Sequence, residues 1–179
     1  AHACAMNLRD RLQPALLDRL TDLAPHSHVE AEDSRVMNKT QIREAVLRDL
    51  SWLLNSVQPL AKTVAARFPQ AAESVLNYGL PAMSGQLASR VDVTLLERSI
   101  KQAILRFEPR VMEDSLEVKA LEASSVLDTH NVIEFEIHGF MWAQPVPLEL
   151  LLRTQVDLEA GQVEVRDMGS TGSSRRKLT

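Results

Sequence analysis

Leu105-Arg106-Phe107-Glu108-Pro109-Arg110-Val111 is the stretch in which the chain changes from a helical to an extended pattern. Upstream of it, apolar residues recur at steps of three and four, which predicts a helix that buries one face: Leu96, Ile100, Ala103, Ile104 and Phe107. Pro109 has no N–H to donate and restricts the residue before it, so we expect the helix to end at or just before Glu108. Downstream the period is two, which places Glu108 and Arg110 on the same side if the corner is extended.

Segments that alternate between apolar and polar residues follow this corner. Their apolar positions are Leu116, Val118, Ala120, Ile133, Phe135, Ile137, Leu148, Leu150, Leu152, Val163 and Val165. Gly161 lies in a tight turn between the last two segments, which predicts a hairpin there. We therefore predict an α+β fold, with N-terminal helices packed on a C-terminal antiparallel β-meander of about four strands. Phe140 and Trp142 fall on the polar face of Glu134 and Glu136, so we expect a helix or a partner to cover that end.

Two amphipathic helices are predicted at the start of the helical half. Leucines recur at four-residue intervals near the N-terminus, and Pro14 is expected to break or kink that pattern, which leaves residues 15–23 as the firmer helix. A second helix is predicted to begin after Asn38, with Gln41 at the capping-box position, and to run to about Asn55. Its expected buried stripe is Ile42, Val46, Leu50, Leu53 and Val57.

Shorter elements are predicted between the second helix and the helix that leads into the corner. Residues 62–68 are expected to form a short helix that Pro69 ends, and residues 71–78 to add another turn or two. Gly79 then suits a left-handed position at the end of that turn. Two capping arrangements are predicted for the start of the next helix: Asp92, or Thr94 with Glu97 three residues on.

Length and composition favour one domain with tails. The 179 residues, 45% of them hydrophobic, divide into a helical arm with a flexible linker (residues 1–36), a single α+β domain (residues 37–168) and a disordered basic tail (residues 169–179). A net charge of −4 gives no general attraction to nucleic acid, so no nucleic-acid partner is expected. No apolar run can span a bilayer, no signal peptide is recognisable, and Cys4 is the single cysteine, so we expect a cytoplasmic protein.

The pair Glu108 and Arg110 admits three interpretations: a catalytic acid with its charge partner, a partner-binding corner, or an internal ion pair that locks the elbow. A glycosidase needs a second carboxylate facing the same cleft, and none stands out among the 24 acidic residues. His26 and His28, near Glu30, Glu32 and Asp33, match no strong metal-ligand spacing. The chain also lacks a Gly-rich phosphate loop and a Gly-x-Ser-x-Gly elbow. We expect no catalytic residue, metal, cofactor or small-molecule substrate.

An α+β domain of this type can act through an open sheet edge, whose unpaired N–H and C=O groups recruit strands.

Four regions carry a more specific signal, in this order: Leu16-Leu17-Asp18-Arg19-Leu20; Arg48-Asp49-Leu50 with Leu53-Leu54-Asn55; Ser74-Val75-Leu76-Asn77-Tyr78-Gly79-Leu80-Pro81; and Glu108-Pro109-Arg110. Together they resemble the TssE family, subunits of the bacterial type VI secretion system baseplate. That family is similar to the baseplate wedge proteins of contractile phage tails and is often labelled lysozyme-like.

The resemblance implies a structural role in a contractile assembly. The subunit would lie in the baseplate wedge beside TssF and TssG, at the inner face of the cytoplasmic membrane. Glu108, Pro109 and Arg110 would fix the elbow and contact the wedge partners. The C-terminal strands would offer an edge to the first sheath subunits, TssB and TssC, and so help to start sheath assembly. A cell-wall glycosidase, which the lysozyme-like label suggests, stays open as the alternative.

Overall fold

The structure, a computed structural model, describes residues 15–21, 25–26, 37–82, 92–121, 132–143 and 146–169. Its helices and strands are α1 (Leu16–Leu20), α2 (Lys39–Asn55), α3 (Lys62–Arg67), α4 (Pro69–Glu73), α5 (Val93–Phe107), β1 (Glu117–Ala120), β2 (Val132–Met141), β3 (Leu148–Asp157) and β4 (Gln162–Asp167). The described residues also form 3-10 turns at Val75–Asn77 and Glu113–Ser115. The strands pair antiparallel in the order β1-β2-β3-β4. The predicted α+β fold with a four-stranded meander is confirmed.

Helix α2 forms over the predicted residues, from its cap at Asn38 to its end at Asn55. The Asn38 side chain accepts from the Gln41 N–H at 2.9 Å, and the Gln41 side chain accepts from the Asn38 N–H at 2.9 Å, which completes the capping box. Its buried residues are Ile42, Ala45, Val46, Leu50, Leu53 and Leu54. The placement of Val57 in that buried stripe is wrong. The helix ends at Asn55, and Val57 is 59% exposed and forms a parallel bridge with Leu80.

Helix α5 begins at one of the two predicted caps. The Asp92 side chain accepts from the Leu95 N–H at 3.0 Å, so Asp92 is the N-cap. The alternative capping box of Thr94 with Glu97 does not form, because the Glu97 carboxylate instead accepts from the N–H of Ala120 in β1. The buried face is Leu96, Ile100, Ala103 and Ile104, with Phe107 partly buried beside it.

The short N-terminal elements differ from their predicted bounds. Helix α1 covers five residues where residues 15–23 were expected to be helical, because the backbone of Thr21 is already extended. Pro69 does not simply end a helix: α3 ends at Arg67 and Pro69 is the first residue of α4, where its missing N–H costs no hydrogen bond. The predicted break at Pro14, most of the linker and nearly all of the basic tail lie outside the described residues.

The segment that follows α4 turns tightly against the end of α2. Gly79 has a φ of +116°, and a Cβ at this position would overlap the carbonyl of Ser56, so only glycine fits there. Asn77 is 5% exposed, and its side chain donates to the Ala72 carbonyl at 3.1 Å and accepts from the Leu60 N–H at 3.4 Å. These contacts explain why glycine and asparagine stand at these two positions.

The core lies between the inner face of the sheet and helices α2 and α5. Its fully buried members include Leu50, Leu53, Ile100, Ile104, Leu116, Phe135, Ile137, Leu150 and Leu152. Burial of one such side chain contributes about 1.5–3 kcal/mol of stability.

Gly161 has a φ of 69° in the predicted β3–β4 hairpin. On the outer face, Phe140 and Trp142 are 38% and 59% exposed, so the part of the chain that the structure describes leaves both aromatic residues uncovered.

Candidate functional site

The Glu108-Pro109-Arg110 corner ends α5 and leads directly into the sheet. The N–H of Glu108 donates to the Ile104 carbonyl at 2.8 Å, which is the last hydrogen bond of the helix. The Val111 N–H then donates to the Glu108 carbonyl at 3.1 Å, which closes a turn around Pro109. Pro109 is exposed, Arg110 is partly buried, and Glu108 is only 3% exposed. The predicted helix end at this corner is therefore confirmed.

Glu108 and Arg110 bind each other through three hydrogen bonds. Nε and Nη2 of Arg110 donate to Oε1 and Oε2 of Glu108 at 2.6 and 2.5 Å, and the Arg110 backbone N–H donates to Oε1 at 3.2 Å. This two-pronged geometry is the strongest form of a guanidinium–carboxylate pair. It fixes the residue before the proline to the residue after it, and so holds the elbow.

The pair belongs to a larger group of five charged side chains, which we call the ion-pair cluster: Asp18, Arg48, Asp49, Glu108 and Arg110. Nη2 of Arg110 also donates to Oδ2 of Asp49 in α2, and Arg48 donates to Oδ1 of Asp49 through Nε and Nη2. Nη1 of Arg48 reaches Oδ1 of Asp18 in α1 at 2.7 Å. The cluster therefore links α1, α2 and the end of α5.

Burial and charge act in opposite directions on the cluster arginines. Burial alone lowers the pKa of Arg110, but its hydrogen bonds and charge pairing with Glu108 and Asp49 outweigh burial and raise that pKa above its ordinary value. The hydrogen bond to Asp18 likewise raises the pKa of Arg48. Burial, followed by the negative charges of Asp49 and Glu108, raises the pKa of the nearby Tyr78 hydroxyl. Both guanidinium groups are thus firmly charged, and three carboxylates share them.

Exposed aromatic residues lie next to the corner, because backbone hydrogen bonds join the corner to the segment that carries them. The Trp142 N–H donates to the Arg110 carbonyl at 2.7 Å, and the Met112 N–H donates to the Phe140 carbonyl at 2.8 Å. Met112 is 39% exposed, close to the value for Phe140. We call Pro109, Arg110, Met112, Phe140 and Trp142 the corner surface. It combines an ordered guanidinium with uncovered apolar side chains, a composition typical of protein-binding surfaces.

The structure gives Glu108 a second carboxylate as a neighbour, which the sequence did not reveal. Asp49 lies 59 positions earlier in the chain, and both carboxylates bind the same guanidinium. In the sequence, Arg48, Asp49 and Asp18 stand out only as parts of motifs, because no local pattern indicates which distant charge they meet. The role of Glu108, Pro109 and Arg110 in binding a partner stays a prediction.

The other sequence candidates contribute no site in the described part of the chain. His26 is described, but His28, Glu30, Glu32, Asp33 and Cys4 lie outside the described residues. Within the described ranges, no group of three or more His, Cys, Asp or Glu side chains is arranged to hold a metal ion. Among the same residues, no helix has the length and hydropathy needed to cross a membrane.

Comparison with known families identifies the chain's relatives. No curated protein and no solved structure matches the chain significantly. A family described as baseplate wedge protein gp25 matches residues 40–146, which is more than half of the 179 residues. The match starts in α2 and ends just before β3, so it includes the corner and most of the ion-pair cluster. The chain belongs to the gp25 family of baseplate wedge proteins, which is the TssE-like family.

Proposed function

We propose that this chain is the TssE-type wedge subunit of a type VI secretion system baseplate. In this proposal it docks on TssF and TssG and helps to start the contractile sheath of TssB and TssC by strand addition. Membership of a baseplate wedge family supports the structural role. The observation that carries the docking part is the corner surface, where an ordered arginine lies beside exposed aromatic residues.

Glu108, Pro109 and Arg110 have different parts in this proposal. Glu108 is buried, so it acts by holding Arg110 in place and does not itself reach a partner. Pro109 is exposed and Arg110 retains 20% of its side-chain surface, so these two residues are the ones a partner meets. Phe140 and Trp142 supply apolar area beside them, and exposed aromatic side chains with arginine dominate many protein interfaces.

The cluster chemistry supports a non-enzymatic role over the glycosidase alternative. A glycosidase needs one carboxylic acid that carries a proton to the leaving group and a second carboxylate free to act on the sugar. Both oxygens of Glu108 accept hydrogen bonds from Arg110, and both oxygens of Asp49 accept from arginines. Because arginine donors occupy both oxygens of each carboxylate, neither is free to give a proton to a leaving group or to act on a sugar, which suits a structural joint better than a catalytic pair.

The proposed location follows from the proposed assembly. As a baseplate subunit the chain would lie in the cytoplasm at the inner face of the cytoplasmic membrane. It would be held there by its wedge partners and would need no anchor of its own.

A capture experiment with matched phenylalanines tests the docking part. Full-length chain with Phe140→Ala should recover TssF and TssG about 5- to 30-fold less well, because a buried aromatic anchor is worth about 1–2 kcal/mol. Phe68→Ala is the control, since Phe68 is 52% exposed at the α3–α4 junction and is not part of the corner surface. Equal recovery with both variants, at equal thermal stability, would contradict docking through the corner.

A further inference from the structure

The end of β4 lies at the same end of the sheet as the corner surface. The Met168 N–H donates to the Leu151 carbonyl at 2.9 Å, which continues the β3–β4 pairing past the last residue of β4. Two positions before Leu151, Glu149 of β3 pairs with Phe140 of β2. Neighbouring strands lie about 4.8 Å apart, so about 10 Å separates Met168 from the strand that carries Phe140. The chain therefore leaves the sheet, at Gly169, close to the exposed aromatic residues.

Met168 adds apolar area to the outer face of the sheet at this end. Side chains alternate along a strand, so Met168 lies on the same face as the exposed Arg166, and Leu151 lies on the same face as the exposed Arg153. Met168 is 43% exposed, and Leu151 is partly buried beside it. The apolar area of the corner surface therefore extends from Phe140 on β2 across β3 to the end of β4.

Acidic side chains border this apolar area. Glu149 is exposed, and its Oε1 lies 3.2 Å from Nε2 of His138, which carries a charge only when it is protonated. Glu113 and Asp114 are exposed in the 3-10 turn that accepts a hydrogen bond from the Phe140 N–H at 2.9 Å. Among the described residues, neither Glu113 nor Asp114 forms an ion pair. These three acids therefore keep their negative charge available beside the corner surface.

The cations of the same region are already bound by carboxylates. Arg110 of the corner surface binds Glu108 and Asp49. On the outer face, carboxylates bind three more cations: Lys119 by Glu117, Arg153 by Glu134 and Arg166 by Glu164. A ligand that meets this region therefore finds apolar side chains bordered by negative charge. Complementary charge favours a basic segment that also carries an apolar residue.

The residues that follow Gly169, which we call the tail segment (residues 170–179), have this composition. Residues 170–174 contain only serine, threonine and glycine, and Arg175-Arg176-Lys177-Leu178 comes next. Five extended residues span about 17 Å, whereas about 10 Å separates β4 from β2. The basic residues therefore reach the acids beside Phe140, and arginine also stacks well on an aromatic face such as that of Trp142.

We propose that the tail segment folds back across the outer face of the sheet and covers the corner surface, with its basic residues beside Glu113, Asp114 and Glu149. The cover is weak and reversible, because exposed ion pairs contribute little each and are screened by salt. It forms because the short tether keeps the tail segment at a local concentration of about millimolar.

The consequence for regulation rests on the proposed function, in which the corner surface binds TssF and TssG. A covered corner is closed to these partners, so the apparent affinity falls in proportion to the fraction of molecules that stay uncovered. The same factor applies to every ligand of the corner, so weak contacts fall below working concentrations while a strong one persists. The tail segment is therefore an autoinhibitory cover that only a strong partner displaces.

Quenching of Trp142 fluorescence by acrylamide tests the cover directly. The chain has two tryptophans, so Trp52→Phe leaves Trp142 as the single reporter. This variant is compared with and without the tail segment, at equal thermal stability. Removal of the tail segment should raise the quenching constant about twofold at about 20 mM salt and change it little at about 0.5 M salt, where charges are screened within about 4 Å. Equal constants at low salt, or a rise that salt does not reduce, would overturn the inference.

Matched acidic residues test where the tail segment binds. Glu149→Gln removes an acid beside the corner surface, and Glu159→Gln removes an exposed acid in the turn at the opposite end of β4. In the single-tryptophan background, Glu149→Gln should raise the quenching constant toward that of the truncated chain, and Glu159→Gln should leave it unchanged. Arg175→Gln, Arg176→Gln and Lys177→Gln together should match the truncation. Equal constants for the two acid variants would overturn this placement, and a truncation effect that grows with protein concentration would indicate a contact between two copies and overturn the intramolecular cover.

Binding of a purified TssF–TssG complex tests the regulatory part. Removal of the tail segment should tighten the apparent Kd about 3- to 10-fold at low salt, the effect expected if the tail covers about two-thirds to nine-tenths of the molecules. Unchanged or weaker binding would overturn autoinhibition. If neither the full chain nor the truncated chain binds TssF–TssG while truncation still raises the quenching of Trp142, the docking function falls and the tail contact stands.

Discussion

Arg110 and Arg153 each bind a glutamate through Nε and Nη2, one at the corner and the other on the outer face of the sheet. At the corner, 4% of the Glu108 side chain is exposed, whereas 31% of the Glu134 side chain is. Water can replace the lost partner on the outer face but not at the corner. The same two residue types thus form a structural joint in one place and a solvated pair in the other.

Removal of the buried carboxylate should give the largest effect. Glu108→Ala leaves Arg110 partly buried with Asp49 as its remaining carboxylate partner among the described residues, and removing one member of a buried pair costs about 3–5 kcal/mol. Urea denaturation measures the free energy of unfolding directly. A loss below about 1 kcal/mol would mean that the corner pair is as dispensable as a surface pair.

Replacement of both partners should recover much of that loss. Glu108→Leu combined with Arg110→Met removes the uncompensated charge and fills the space with apolar atoms, so we expect the double variant to be at least about 2 kcal/mol more stable than Glu108→Ala. The same urea titration measures it. If the double variant is no more stable than the single one, the corner needs the charges themselves, for example because Arg110 holds Asp49 in place.

A third ion pair is intermediate in exposure between the corner pair and the outer-face pair, and it should make the free energy of unfolding depend on pH. Burial alone would raise the pKa of Asp167, but its hydrogen bonds to Arg43 and to the Gly169 N–H hold that pKa below its usual value. Its contribution is therefore complete above the unfolded pKa of about 3.9 and is lost as the pH falls through the lower folded value. At pH 7, the free energy of unfolding of the wild type should be about 1 kcal/mol greater than that of Asp167→Asn.

Acid titration of both proteins tests this pH dependence. The difference in unfolding free energy between wild type and Asp167→Asn should shrink as the pH falls below about 4. A difference that is constant from neutral to acidic pH would show that the charge of Asp167 contributes nothing and that only its shape matters.

Glu134→Ala should have the smallest effect and is the matched counterpart of Glu108→Ala. Glu134 is also bound by the two donors of one arginine, but its environment is solvated, so we expect a loss within about 1 kcal/mol. Unfolding in urea at low and high salt measures both the loss and its screening. A loss as large as that of Glu108→Ala would remove the difference between the two regions.

Local features of the fold were predictable because their causes lie a few residues apart. The capping box of Asn38 with Gln41, the left-handed Gly79 and the helix end before Pro109 each depend on a short stretch, and the structure has all three. Thr94 with Glu97 has the right spacing but fails as a cap. Glu97 fails because the tertiary structure offers it another donor, the Ala120 N–H.

The contacts that make the candidate site were not predictable from one sequence. Asp49 and Arg110 lie 61 positions apart, so no periodicity links them. Their meeting depends on how α2 lies across the sheet, which is set by the whole core. The sequence identified Glu108 and Arg110 as a pair because they are neighbours, and it could not identify the helix that completes their network.

The most direct test of the corner as the docking site is the dissociation constant for a purified TssF–TssG complex. Arg110→Lys keeps the positive charge but loses the two-pronged geometry. Arg153→Lys is the same substitution on the outer face, where both arginine donors bind Oε2 of Glu134. We predict about tenfold weaker binding for Arg110→Lys and an unchanged constant for Arg153→Lys. Equal constants for the two variants, with both folded, would contradict a docking role for the corner.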